Sequence, residues 1–382
     1  MSATLRQAAG SLMVVGLEGA ELTGMERAWL RLVQPAGVIL FRRNIADAQQ
    51  TRALLDEATG LCVRDAFRCV DVEGGTVDRL RDALAPMPSA QAVAAAMRRA
   101  GKPAFARRNG ELIARGVRTF GFNTTLAPVL DLALPDSTVV MGTRSAAADA
   151  EGVIAYAREF LRGLAAHQVA GCGKHFPGLG GGKRDSHVET PAIVRGWREL
   201  WREDLEPYRA LKNDLPMVMV NHAAYPKTAG GKRPASASPY WISTVLRKRI
   251  GYRGIVFSDD LEMGGILNFL PMEDAVIEAL RAGMETVEIC HSAELILRAY
   301  EALVREAERS AAFRALLLGR ARGMARKRAK LFGKGVGRAL TARQLESLRS
   351  EILQFRDEVA RAGEIASAEP TARRRATPVE TA

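Results

Sequence analysis

Several residue types that define whole classes of protein are scarce in this sequence. Only four cysteines occur among 382 residues, at positions 62, 69, 172 and 290, and none lies in a CxxC pair. A disulfide framework or zinc site is therefore not expected, and a reducing compartment fits best. No run approaches the roughly 18 uncharged apolar residues that a membrane span needs. These absences predict a cytoplasmic protein without a membrane-spanning segment.

Negative charge is also in short supply, because the formal net charge is +12. Residues 320–334 alone carry seven basic side chains and no acidic one. Such a stretch can bind nucleic acid or an anionic surface. No aromatic residue interleaves with these charges apart from Phe332. We therefore favour a solvated helix over a nucleic-acid site, and we expect no nucleic-acid partner.

Short apolar runs recur along the chain and alternate with helical patterns. Each run is a candidate strand. The runs are residues 12–15, 37–41, 67–72, 125–130, 169–173, 217–220, 254–257 and 286–289. The helical patterns between them include residues 25–33, 48–58, 91–115, 151–167, 197–211 and 273–282. Eight such units predict an α/β fold, a single (β/α)8 TIM-type barrel.

The barrel is expected to occupy residues 1–334. Residues 335–365 form a predicted helical extension, because apolar side chains recur at helical spacing. They are Leu345, Leu348, Ile352, Phe355 and Val359. This helix either packs on the barrel or meets a partner. Residues 366–382 have no apolar periodicity, which predicts a disordered tail.

Polar residues follow the apolar runs, where a barrel would place its active site. They are Arg42, Arg43, Asn44, Asp71, Glu73, Asp131, Lys174, His175, Asn221, His222, Asp259, Asp260 and His291. Four of the five histidines, at positions 175, 187, 222 and 291, lie on this predicted face. Random scatter would not readily concentrate the titratable residues in this way.

Two stretches carry the chemistry. Residues 174–187 read KHFPGLGGGKRDSH and end with Asp185 two positions before His187. A carboxylate at that spacing can orient the imidazole and raise its basicity for proton transfer. The second stretch places Asp259 and Asp260 side by side after an apolar run. Adjacent like charges are costly unless something uses or neutralises them.

Together these motifs resemble glycoside hydrolase family 3, specifically the single-domain bacterial β-N-acetylglucosaminidases of peptidoglycan recycling. The resemblance covers residues 11–332 and combines several motifs in order. They are GVILFRRN (37–44), DVEGG (71–75), LAPVLD (126–131), GTRS (142–145), KHFPG (174–178), DSH (185–187) and SDDLEM (258–263). It implies hydrolysis of terminal β-linked GlcNAc, in GlcNAc-1,6-anhydro-N-acetylmuramic acid and its peptides, without metal or organic cofactor. We expect the chain to act as a monomer.

The resemblance also implies roles for individual residues. Asp259 matches the nucleophile that forms a glycosyl-enzyme, with retention of configuration. His187 matches the general acid/base, and Asp185 is its dyad partner. The matching sugar-binding positions are Asp71, Arg79, Arg144, Lys174 and His175. Asn123 and His222 are weaker candidates on the same predicted face.

The sequence departs from the family pattern and leaves other functions open. Leu179-Gly180-Gly181 stands where polar residues usually follow KHFPG, and Ala146 stands where an aromatic residue is frequent. Another family 3 β-glycosidase, such as a β-glucosidase, is one alternative. A GlcNAc phosphorylase is another, because a histidine acid/base adds no negative charge against phosphate. A catalytically silent sugar-binding protein is the third.

Overall fold

The computed structural model describes residues 4–182 and 190–363, and its eight parallel strands close into a barrel. Neighbouring strands pair in the order β1–β2–β3–β6–β7–β8–β9–β10 and back to β1, which confirms the predicted TIM-type fold. The barrel strands are β1 (Met13–Gly16), β2 (Gly37–Leu40), β3 (Phe67–Val70), β6 (Thr124–Thr125), β7 (Ala170–Phe176), β8 (Met217–Val220), β9 (Ile255–Asp260) and β10 (Thr286–Ile289). Strands β4 (Val72–Gly74) and β5 (Val77–Asp78) form an antiparallel hairpin after β3. Three predictions lie outside the described residues: the tail at 366–382, Asp185 and His187.

Helices surround the barrel between most strands. They are α1 (Leu5–Gly10), α2 (Gly24–Val33), α3 (Ala48–Gly60), α4 (Ala90–Ala100), α5 (Ala104–Thr119), α6 (Thr138–Met141), α7 (Ala150–Ala166), α8 (Trp197–Arg202), α9 (Glu206–Ala210), α10 (Gly264–Leu267), α11 (Met272–Ala282), α12 (Ala293–Arg309), α13 (Ala311–Phe332) and α14 (Ala342–Gly363). A further helical segment, Tyr240–Ile250, has π-type hydrogen bonding. Among the described residues, no helix is both long and apolar enough to cross a membrane.

Several predicted boundaries are wrong, and the helix predicted over residues 197–211 is the two helices α8 and α9. The helix predicted over residues 91–115 is two helices, because Gly101 adopts a left-handed φ of 62° and Pro103 follows it. The fourth strand is shorter than predicted and covers only Thr124–Thr125. Strands β7 and β9 run further than their apolar residues, so the polar ends of both motifs lie within strands.

Aromatic rings close the barrel at the end where the strands begin. Phe67 of β3 contacts Phe257 of β9 and Phe332 of α13, with ring centroids 5.7 Å and 5.1 Å apart. The basic residues of α13 are partly structural here. The Arg328 guanidinium is buried and donates to the carbonyl of Ser11. A solvated face therefore describes only part of the basic stretch at 320–334.

Helix α14 packs on the barrel, as one of the two predicted alternatives has it. Its apolar stripe is buried against α4 and α5. Arg115 of α5 donates to both carboxylate oxygens of Glu351, and Arg108 pairs with Glu358 at 2.8 Å. The extension therefore adds buried apolar surface to the outer helical layer.

Replacing Phe355 in α14 with alanine should lower the free energy of unfolding by about 3–5 kcal/mol. Phe355 is fully buried, and its ring lies 6.2 Å from that of Phe105. Urea titration of the full chain measures the change. Leu353 on the same helix is 41% exposed, and Leu353→Ala should cost less than about 1 kcal/mol. Equal effects of the two substitutions would contradict the packing described here.

Candidate active site

A buried ion-pair network occupies the end of the barrel where the strands finish. The Lys174 ammonium lies 2.8 Å from Asp71 Oδ1 and 2.6 Å from Glu73 Oε1. Arg144 donates through Nε and Nη2 to the two oxygens of Glu73, each at 2.8 Å. All four side chains are buried. The hairpin after β3 makes this possible, because Gly74 adopts a φ of 91° as the chain turns toward the barrel.

The network favours the charged forms of Glu73, Arg144 and Lys174. Burial alone would raise the pKa of Glu73, but Arg144 and Lys174 outweigh burial and lower it. Burial would likewise lower the pKa of Arg144 and of Lys174, but the carboxylates raise both. These charges are therefore fixed in position before any substrate arrives.

Arg79 lies beside this network. Its backbone N–H donates to the carbonyl of Asp71 at 3.0 Å, and the residue is 2% exposed. Burial lowers the pKa of Arg79, while Asp71 and Glu73 oppose that effect. The guanidinium carbon lies 5.8 Å from the ring centroid of Phe41. The arginine is thus a buried cation of the site rather than an exposed surface residue.

His175 is held by Asp131. Its ring Nδ1 lies 2.6 Å from Asp131 Oδ2, and its backbone N–H donates to the same oxygen at 3.0 Å. A carboxylate at this distance assigns the proton to Nδ1. Nε2 then accepts from Arg144 Nη2 at 3.4 Å. The imidazole is therefore fixed in both orientation and tautomer.

Asp131 also fixes the start of the glycine-rich loop. Its second oxygen accepts the backbone N–H of Leu179 at 2.7 Å. The Leu179 side chain is 6% exposed and packs into the core. Gly178 has a φ of 134°, and a Cβ there would lie 2.7 Å from the Cβ of Asp204. Leu179, which stands where the family pattern has a polar residue, therefore anchors the loop through apolar packing.

Asp259 stands at the end of β9. Its Oδ1 accepts the backbone N–H of Asp260 at 3.0 Å, and the residue is partly exposed. Asp260 instead accepts the backbone N–H of Glu262 at 3.0 Å, as a turn-capping residue does. Burial first, and then the charge of Glu262, raise the pKa of Asp260. Of the two adjacent carboxylates, Asp260 is therefore the one that caps the turn after β9.

His222 contacts the end of β9 through a hydrogen bond. It is fully buried, with Nδ1 2.7 Å from Ser236 Oγ and Nε2 2.9 Å from the carbonyl of Asp260. Asn123 lies at the opposite end of the barrel, because it bonds the backbone of Ala66 and Arg68 where β3 begins. The expectation that Asn123 lies on the active face is wrong, since it precedes its strand.

We call one group of side chains the strand-end cluster: Asp71, Glu73, Arg79, Asp131, Arg144, Lys174 and His175. The structure brings all five predicted sugar-binding residues into this cluster. Asp259 finishes another strand at the same barrel end. Sequence reasoning noted Glu73 and Asp131 only as residues near strand ends and gave them no role. Their partners lie 71 and 44 positions away, beyond any local pattern.

Within the described ranges, one group of side chains could hold a metal ion. The ligand atoms of Asp260, Glu262 and His291 lie within 4.8 Å of one another. Glu262 Oε1 already accepts the backbone N–H of Ser292 at 2.7 Å. The ring of His291 stacks on that of Phe41 at 5.2 Å. Glu262 and His291 therefore already contact other residues of this chain.

Comparison with known proteins agrees with this geometry. Residues 4–314 match the family model described as the glycosyl hydrolase family 3 N terminal domain. The beta-hexosaminidase of Stenotrophomonas maltophilia (strain R551-3) is 36% identical over 311 residues, which are 80% of this chain and 91% of that protein. The beta-hexosaminidase of Methylococcus capsulatus is 38% identical over 288 residues, or 75% and 85% of the two chains.

Solved structures show the same likeness. A glycoside hydrolase family 3 beta-N-acetylglucosaminidase from Paenibacillus sp. str. FPU-7 superposes with a TM-score of 0.82 at 30% identity, over 92% of this chain and 69% of that one. NagZ from Neisseria gonorrhoeae, in complex with N-trifluoroacetyl-D-glucosamine, superposes with a TM-score of 0.73 at 27% identity. That match covers 93% of this chain and 98% of the other.

Proposed function

The chain belongs to glycosyl hydrolase family 3 and is a glycoside hydrolase, and on that premise we propose that it is a retaining exo-β-N-acetylglucosaminidase. One observation carries the proposal. The strand-end cluster, with its fixed charges, lies at the same barrel end as Asp259. The names of the similar proteins support GlcNAc as the sugar removed.

The proposed reaction has two steps. The Asp259 carboxylate attacks the anomeric carbon and the bond to the leaving oxygen breaks, which leaves a glycosyl-enzyme. His187, oriented by Asp185, protonates the leaving oxygen. In the second step the neutral imidazole takes a proton from water, which attacks the same carbon and frees Asp259. Two inversions give net retention.

The cluster supports sugar binding through fixed donors and acceptors. Asp71 can accept hydrogen bonds from two neighbouring hydroxyls, while Lys174 and Arg79 can donate to sugar oxygens. Arg144 is tied to Glu73 by two hydrogen bonds, so its remaining donors point in set directions. Such preorganisation favours the transition state because little has to move during the reaction.

We further propose that the natural substrate is GlcNAc-1,6-anhydro-N-acetylmuramic acid or its peptide-bearing forms, in the cytoplasm. The resemblance to bacterial enzymes of peptidoglycan recycling supports this choice. A monomer suffices for the reaction, because the barrel at residues 1–334 carries every proposed catalytic and binding residue. The helical extension at 335–365 lies on the outer layer, against α4 and α5.

Hydrolysis of p-nitrophenyl β-GlcNAc and of p-nitrophenyl β-glucoside tests the proposal. We expect nitrophenol from the GlcNAc substrate only, and GlcNAc as product both with and without phosphate. Equal release from both substrates would favour a β-glucosidase. GlcNAc-1-phosphate formed in phosphate buffer would favour the phosphorylase. A folded chain inactive on both nitrophenyl sugars and on a muropeptide would favour a silent sugar-binding protein.

A further inference from the structure

Glu288 is a carboxyl inside the barrel that no sequence motif singled out. It lies in the otherwise apolar end of β10 and is 2% exposed. Its Cα pairs in register with that of Asp260 on β9, and its backbone N–H donates to Ser258 Oγ at 2.9 Å. Glu288 is therefore anchored to the strand that carries Asp259.

One oxygen of the Glu288 carboxyl lacks the hydrogen-bond partner that an ionised group needs. Its Oε1 is fully enclosed and, among the residues the structure describes, makes no hydrogen bond. Burial first, and then the charges of Asp71, Asp260 and Asp259, raise the pKa of Glu288 well above its usual value, and Lys174 opposes them. Such surroundings favour the protonated carboxyl, because in the charged form the enclosed oxygen would have neither water nor a hydrogen-bond donor.

The groups around Glu288 offer it little compensation. Among the described residues, the titratable groups that face it are Asp71 and Cys69 at β3, Cys172 and Lys174 on β7, Asp259 and Asp260 on β9, and Cys290 after β10. Burial raises the pKa of all three thiols, so they are neutral. The one cation in this set, Lys174, already contacts Asp71 and Glu73.

Glu73 shows what a partner changes. Glu73 and Glu288 are equally buried, at 3% and 2% exposed. Arg144 and Lys174 lower the pKa of Glu73 despite its burial, whereas the carboxylates around Glu288 act in the opposite direction. The pKa values of two buried glutamates at one end of the barrel are therefore shifted in opposite directions, because the neighbouring charges differ in sign.

We propose that Glu288 is a positioning residue of this active site, a neutral carboxylic acid that leaves the ionised state to Asp259 and Asp71. The inference rests on the proposed function, in which Asp259 attacks as a carboxylate. An ionised Glu288 would place another negative charge beside both residues. It would also compete with Asp71 for the Lys174 ammonium, and would so disturb the contacts proposed to hold the sugar.

The pH profile of kcat/KM tests this role, with p-nitrophenyl β-GlcNAc as substrate. Near pH 6 we expect Glu288→Gln to stay within about threefold of wild type, because glutamine is neutral and of the same shape. On the alkaline side, kcat/KM of wild type should fall at a pH about one unit or more below the pH at which kcat/KM of Glu288→Gln falls. Glu288→Leu also cannot ionise, and should show the same alkaline extension whatever its kcat.

Stability gives a second readout that needs no catalysis. A folded-state pKa above the unfolded value of about 4.3 means that folding retains a proton which the unfolded chain releases. The urea midpoint of wild type should therefore fall relative to that of Glu288→Gln as the pH rises above that value, until Glu288 ionises in the folded state. A constant difference between the two midpoints across pH would overturn the neutral state.

Glu285→Gln is the matched control. Glu285 lies just before β10 and pairs with Arg247 and Lys327 at 2.6 Å and 2.8 Å. Its replacement should lower the urea midpoint without moving the alkaline limb of the kcat/KM profile. Suppose that the urea midpoints of wild type and Glu288→Gln differ in a pH-dependent way while the alkaline limb of the kcat/KM profile is the same in both. Glu288 would then have a structural role only, and the positioning role would be overturned. If wild type proves inactive on the GlcNAc substrate, the proposed function fails while the midpoint comparison still decides the protonation state.

Discussion

Asp259→Ala should abolish hydrolysis of p-nitrophenyl β-GlcNAc, with kcat lower by about 10⁶-fold, the scale seen when a nucleophilic catalyst is removed. The reason is that no other described carboxylate is placed to attack from the end of β9, since Asp260 is turned into the backbone of Glu262. Initial rates at saturating substrate measure the loss. Circular dichroism checks that the variant is folded.

Azide makes this prediction sharper. In Asp259→Ala the vacated space admits a small anion, which attacks the same carbon from the same side and gives the α-glycosyl azide. In His187→Ala the glycosyl-enzyme still forms from a good leaving group, and azide then attacks it to give the β-glycosyl azide. Identical azide anomers from the two variants would contradict the assigned roles.

Asp260→Asn is the matched control for the nucleophile. The two carboxylates are adjacent in sequence, but burial and Glu262 raise the pKa of Asp260, so a neutral amide is a close substitute. We expect kcat within about tenfold of wild type, because the amide oxygen can still accept the backbone N–H of Glu262. A full loss in Asp260→Asn with activity kept in Asp259→Asn would exchange the two roles.

The sequence predicted the barrel strands that carry this site because local patterns of apolar and polar residues indicate strands. Apolar runs bounded by polar residues marked all eight barrel strands, and parallel strands bring their ends together. The positions of Lys174, His175 and Asp259 therefore predicted that they lie at one end of the barrel, whereas the roles proposed for them come from the family resemblance. Asn123 was misplaced for a related reason: it stands next to an apolar run, but before the strand rather than after it.

The electrostatics could not be predicted in the same way. The state of Glu73 depends on Arg144, which reaches it from a segment after β6. The state of Glu288 depends on charges from β3, β7 and β9, all distant in sequence. A glutamate within an apolar run is a local anomaly that sequence reasoning can register. Whether it is ionised is decided only when the barrel closes.

Lys174→Met should affect stability and catalysis together. It removes a cation shared by two buried carboxylates, and leaving such a charge unpaired costs about 3–5 kcal/mol at pH 7. Arg144 still pairs with Glu73, so Asp71 bears more of the loss. We expect kcat/KM to fall about 10²-fold or more, because the sugar then meets an uncompensated carboxylate and loses a donor. Urea titration and initial rates measure the two effects.

The stability lost in Lys174→Met should depend on pH in a definite direction. Arg144 and Lys174 hold the pKa of Glu73 below its usual range despite burial, so the stability that the network contributes is present at neutral pH and is lost as the pH falls. Carboxylates left without Lys174 can take up protons more easily. The stability difference between wild type and Lys174→Met should therefore shrink from pH 7 toward pH 4. A difference that stays constant over that range would contradict the charge-pair account.

Lys327→Met provides the comparison at the other end of the barrel. Lys327 pairs with Glu285 at 2.8 Å and is 30% exposed, so water compensates part of its loss, and we expect a cost of about 1 kcal/mol. Catalysis should stay within about twofold, since Lys327 touches no residue of the strand-end cluster in the described chain. If both lysine variants lowered kcat/KM equally, general destabilisation would explain the loss. A loss confined to Lys174→Met ties the buried network to the chemistry at Asp259.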